Sequence, residues 1–227
     1  MERHLDLEIG SLRKNLLQMS GMVEYDIDKT IRALKERNAD LAREVIEDDK
    51  TIDRLEIEIE NQCFNILARH QPVAVDLRFI MASVKINNDL ERMGDLAVNI
   101  AQKTLSLIKL KPLKPLIDIP YMAQIVQGMV KDSLDSFLEN DIVKAKAVCE
   151  NDDVVDALEE QIVRELTTYM IENPKNISQA LDLTLVARHL ERLADLTTNI
   201  GEEVIFIVQA KNIKHHSEDL DAQRDTK

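Results

Sequence analysis

The string DLERMGDLAVNI at residues 89–100 returns as HLERLADLTTNI at residues 189–200. Two copies of so long a pattern point to an internal duplication, and a duplication decides the fold before any single element is assigned. Working outward, EDDKTIDRLE at 47–56 returns as ENDDVVDALE at 150–159. Met19, Met22, Val23, Ile27 and Leu34 likewise return as Met122, Ile125, Val126, Val130 and Phe137. Within the repeated string Leu90, Met93, Ala97 and Ile100 share one helical face with Phe79, as Leu190, Leu193 and Ile200 do with Leu183 and Val186. Apolar residues at that spacing mark amphipathic helices, and these are read as core.

The prolines mark the breaks. Pro72 and Pro174 stand alone, whereas Pro112, Pro115 and Pro120 cluster in KLKPLKPLIDIP, and all five are read as lying outside helices. With short polar turns at Arg37-Asn38 and Asn140-Asp141, the pattern predicts six helices near 4–36, 40–70, 75–109, 120–139, 142–172 and 177–210. Short connections make neighbours within each repeat antiparallel. The fold class is therefore all-α: two tandem three-helix bundles, residues 1–110 and 120–210, joined by a proline-rich linker at 111–119. Residues 211–227 are polar and weakly periodic and are expected to form a disordered tail.

Composition agrees. Of 227 residues 44% are hydrophobic and only 3% aromatic, with no Trp, which favours helices over sheets. Cys63 and Cys149 have no nearby cysteine partner and are read as inert thiols. No apolar run approaches the ~18 residues of a membrane span, so a cytoplasmic protein without membrane insertion is expected. The net charge of −13 disfavours nucleic acid and anionic lipid, and suits cations or a basic partner surface.

That acidity has a pattern. Asp49/Asp53, Glu91/Asp95, Asp152/Asp156 and Glu191/Asp195 are four i,i+4 pairs at equivalent places in the two repeats. Each pair stacks like charges on one helical face, at a cost of a few tenths of a kcal/mol. Asp53 and Glu91 each lie 19 residues from Pro72, and Asp49 and Asp95 each lie 23 from it. Antiparallel helices of equal rise bring these acids level, and the second repeat does the same around Pro174. Four carboxylates thus converge twice at a surface open to water, where a bound cation relieves their repulsion. All-oxygen ligation suits Mg, Mn, Ca or ferric iron better than Zn, which stays compatible. Asn99 and Asn199, one turn on, are candidate supporting ligands, and Gly94 and Ala194 keep bulk low beside the second acid.

Other residues carry weaker signals. His189 has Asp89 as its repeat counterpart and is read as exposed or capping. Arg92 and Arg192 are read as ion-pair partners, and His215 and His216 as inert tail residues. No phosphate-binding loop, dinucleotide motif or nucleophile-base set is present in the sequence, so the chain is read as non-enzymatic. A carboxylate-bridged di-metal oxidase would need Glu-x-x-His motifs that these helices lack.

The strings IMASVKINNDLERMGD and VARHLERLAD, with their D-x-x-x-D partners and the PLKPL linker, resemble the PhoU family over residues 5–210. The resemblance implies a regulatory adaptor that negatively regulates phosphate uptake by a phosphate ABC transporter and phosphate-starvation signalling. It implies as partners the transporter's ATPase subunit and a membrane sensor histidine kinase, and leans toward a homodimer. It also implies multinuclear metal clusters, iron in some members, on Asp49, Asp53, Glu91, Asp95, Asp152, Asp156, Glu191 and Asp195. The competing expectation is a helical scaffold whose acids serve solubility alone.

Overall fold

The computed structural model describes residues 4–210, so the predicted tail with His215 and His216 lies outside the described residues. Six α-helices follow one another, with no strand among the described residues: α1 (His4–Glu36), α2 (Ala39–His70), α3 (Ala74–Leu107), α4 (Asp118–Glu139), α5 (Ile142–Glu172) and α6 (Ile177–Gln209).

The duplication extends to the turns. Arg37 and Asn140 take the same left-handed backbone, with φ of 54° and 53°, and the next residue in each repeat caps the following helix. Asn38 accepts from the backbone N–H of Asp40 and Leu41, and Asp141 accepts from Val143 and Lys144, satisfying N–H groups that have no partner inside the helix. Left-handed backbone suits Asn140 better than Arg37. The Arg37 guanidinium, however, donates to the carbonyl oxygens of Leu107, Ile108 and Leu110, placing a cation on the carbonyls at and just beyond the end of α3.

Two prolines differ from expectation. Pro174 opens a short 3-10 helix, Pro174–Asn176, between α5 and α6. Pro120 falls in the first turn of α4, which opens at Asp118. An N–H there has no helical acceptor, so a proline is tolerated, and the link between the repeats runs over 108–117 instead of 111–119.

The halves do more than lie side by side. α3 packs against α6, α1 packs against α4, and the buried apolar residues form one continuous cluster. Phe79 of the first repeat stacks on Phe137 of the second at 5.5 Å and 4°. α3 and α6 run antiparallel: Lys85, early in α3, meets Glu203, late in α6, and Lys103 meets Asp182 at the other end. Equivalent residues near the middles of these two helices therefore face each other across a local two-fold.

Candidate metal patches beside a shared cleft

The eight predicted acids fall into two groups with matching exposure. Asp49, Glu91, Asp152 and Glu191 are half-buried, whereas Asp53, Asp95, Asp156 and Asp195 are exposed. α2 and α3 supply the first group and α5 and α6 the second. Their positions follow from the helical stripes: Ile52, Leu90 and Met93 point into the core, which turns the acids between them toward the edge of the helix pair.

Within each group the carboxylates lie near enough to disturb one another's protonation. Asp49 is pushed up from its ordinary range by burial, then by Asp53 and Asp95. Glu91 is pushed up by burial, then by Asp95, Glu56, Asp53 and Asp49. In the second repeat burial, Asp195 and Asp156 hold Asp152 up at about 6. Glu191 is raised by burial, Asp195 and Asp156, and Asp195 by burial and Asp156. The arrangement is open, in that no three of the eight bring donor atoms within 4.8 Å of one another; the tighter set among the described residues is His4, Glu8 and His70. Carboxylates that repel one another in this way stand further apart than ligands around an ion.

Gly94 has the close approach its size suggested. A Cβ there would sit 3.5 Å from Asp49 Oδ1 and 3.3 Å from Ile52 Cδ1. Across the duplication, Asp152 Oδ1 is buried without a hydrogen-bond partner. An oxygen of that kind, among mutually repelling carboxylates, fits a bound hard cation.

Four residues were missed. Glu56 and Glu159 extend the stripes of α2 and α5 one turn beyond Asp53 and Asp156 and act on Glu91 and Glu191. The i,i+7 spacing of Glu56 from Asp49 was a usable signal. On α1, buried Asp26 is held up at about 6 by burial and Asp48, with Lys29 opposing and Asp49 adding to the rise. Lys29 Nζ lies 2.8 Å from Asp48, 3.5 Å from Glu44 and 3.9 Å from Asp26. Met129 stands at the place equivalent to Asp26, so the repeat pattern gave no hint of it.

The antiparallel α3–α6 seam sets the two patches beside a common cleft of about 590 Å³, lined by Arg92, Asp95, Asn99 and their counterparts Arg192, Asp195 and Asn199. Asn99 and Asn199 thus face the cleft between the patches. Arg92 lies 3.8 Å from Asp89, as an ion-pair reading expects, while Arg192 also lines a second cleft with Asp156, Glu159 and Glu191. His189 departs from expectation: it is half-buried, its Nδ1 lacks a hydrogen-bond partner, and burial lowers its pKa, with Arg192 and Lys103 adding to the effect. Cys63 and Cys149 are free thiols pushed up to about 12 and about 11, chiefly by burial, which keeps them protonated and unreactive.

The sequence model of the PhoU domain matches twice, over residues 16–104 and 119–204. The chain belongs to the PhoU family. Among PhoU relatives, a phosphate-specific transport system accessory protein PhoU homolog of Aquifex aeolicus is 46% identical over 92% of this chain and 94% of its own length. The crystal structure of PhoU from Pseudomonas aeruginosa superposes with a TM-score of 0.89 at 36% identity, covering 92% of this chain and all of that one. The phosphate transport system regulatory protein PhoU from Streptococcus pneumoniae gives a TM-score of 0.85 at 27% identity, covering 92% of this chain and 99% of that one. No helix among the described residues is long and apolar enough to cross a membrane.

Proposed function

We propose that this PhoU protein is a metal-binding regulatory adaptor that restrains phosphate uptake and phosphate-starvation signalling. The observation that supports it best is the doubled carboxylate patch, at equivalent places in both repeats and on either side of one cleft. Asp49, Asp53, Glu91 and Asp95 would hold one cluster and Asp152, Asp156, Glu191 and Asp195 the other, with Asn99 and Asn199 in support. Hard cations such as iron(III), Mn, Mg or Ca suit these donors. When bound, such ions supply positive charge that turns a repelling face into a fixed docking surface. The partners in this reading are the ATPase subunit of the phosphate ABC transporter and a membrane sensor histidine kinase. It places the protein in the cytoplasm, at the inner membrane through its partners, and as a homodimer.

Metal analysis of untagged protein tests the first half of this reading. Wild type is expected to carry metal that an Asp95→Ala/Asp195→Ala variant lacks, and equal metal in both would favour a scaffold whose acids serve solubility. A pull-down with the transporter ATPase across phosphate concentrations tests the second half, and failure at every concentration would count against the adaptor role.

A further inference from the structure

Far from the acidic patches, the first turns of α1 meet the last turn of α2. α1 has 33 residues and α4 has 22, so α1 carries a stretch for which the second repeat has no counterpart. On that stretch His4 and Glu8 stand one turn apart, and His70 ends α2 beside them. Glu8 reaches both rings: one carboxylate oxygen lies 3.5 Å from His4 Nδ1 and the other 3.4 Å from His70 Nε2. The imidazole centroids are 6.0 Å apart, and one donor atom from each of the three residues falls within 4.8 Å of the others. His70 Nε2 is closed to solvent yet has no hydrogen-bond partner.

We propose that His4, Glu8 and His70 form a separate site for one divalent transition metal ion of the zinc(II) class. The donor set is two imidazole nitrogens and a carboxylate, unlike the all-oxygen patches, and it selects borderline ions over Mg or Ca. A tetrahedral ion with bonds of about 2.0 Å spaces its ligands by roughly 3.3 Å, so three donor atoms already within 4.8 Å of one another close on it by small side-chain rotations. The shielded nitrogen of His70 gains a partner, and the cation sits at the carbonyl end of α2, where the helix dipole favours positive charge. His4 is 80% exposed, which leaves the fourth position to water. The bound ion clips the start of α1 to the end of α2 in the first repeat alone.

Cobalt(II) titrated into chelator-treated, untagged full-length protein tests the site. One equivalent is expected to give the intense visible absorption of a four-coordinate ion, and zinc(II) to displace it. Affinity should fall more than about 100-fold in His70→Gln and in His4→Gln, since losing a ligand costs more than losing a supporting contact. His4→Gln keeps the test valid should His70→Gln fail to fold. An Asp95→Asn/Asp195→Asn variant should retain the signal, as should His215→Gln/His216→Gln. The proposal is overturned if wild type shows no four-coordinate spectrum, if both histidine variants keep it, or if it disappears in the tail variant.

Discussion

Lys85 on α3 grips Glu203 on α6 at two points, its Nζ lying 2.8 Å from one carboxylate oxygen and 3.0 Å from the other. Glu203 is 2% exposed and the Lys85 side chain 48%, so this contact between the repeats reaches from the surface to a carboxylate buried in the seam. Lys85→Met would take a cation away from a buried carboxylate and is expected to cost on the order of 2 kcal/mol, read as a lower urea midpoint for unfolding. The loss should exceed that from removing Lys144, because its partner Glu139 is 59% exposed whereas Glu203 is buried.

Two glycines of similar setting should answer differently to alanine. A Cβ on Gly201 would sit 2.9 Å from the carbonyl oxygen of Ala145 on α5, a backbone atom that cannot swing aside. Gly201→Ala should therefore destabilise by about 1–2 kcal/mol despite the better helix propensity of Ala. At Gly94 the neighbours are side-chain atoms of Ile52 and Asp49, and the second repeat already carries Ala194. Gly94→Ala should change stability by less than about 1 kcal/mol. Thermal unfolding of the two variants side by side checks the contrast.

The metal-free protein should become more stable as the pH falls from 7 toward 5. Asp26 and Asp152, both held up at about 6, keep a proton in the folded chain at pH values where an unfolded aspartate near 3.8 has lost it. Their contribution is complete below 3.8 and is lost as the pH rises through about 6. Asp152→Asn should stabilise the metal-free protein at pH 7 by on the order of 1 kcal/mol and flatten the dependence. Urea titrations at both pH values, in chelator, give the measurement.

Lys29 is the cation of the first patch that needs no metal. Its side chain is 6% exposed and that of Asp26 is 4% exposed. Lys29→Met should cost about 3 kcal/mol at pH 7, because Asp26 is left buried with Asp48 and Asp49 nearby. Adding Asp26→Asn should recover most of that loss in the same denaturation assay.

Signals that are local in sequence were legible, and those that depend on which helix faces meet were not. Arg37-Asn38, Pro72, Asn140-Asp141 and Pro174 marked the turns because each has its own backbone or capping chemistry. Pro120 misled because a proline inside a first helical turn looks, in sequence, like one outside a helix. The level placement of the acids followed from helical rise and the Pro72 turn. That Arg92 and Arg192 share a cleft did not, because it depends on α3 and α6 packing together antiparallel. Asp26 escaped notice because the duplication replaces it with Met129. His70 escaped because its partners lie more than sixty positions away.

The longer α1 gives the molecule a direction. Viewed down the α3–α6 seam the chain is almost a palindrome, and a partner resting on that face alone has two nearly equivalent orientations related by a half turn. A partner whose footprint extends to the opening turns of α1 meets an end without a twin. The longer helix makes that choice single-valued, as a notch does on an otherwise reversible key.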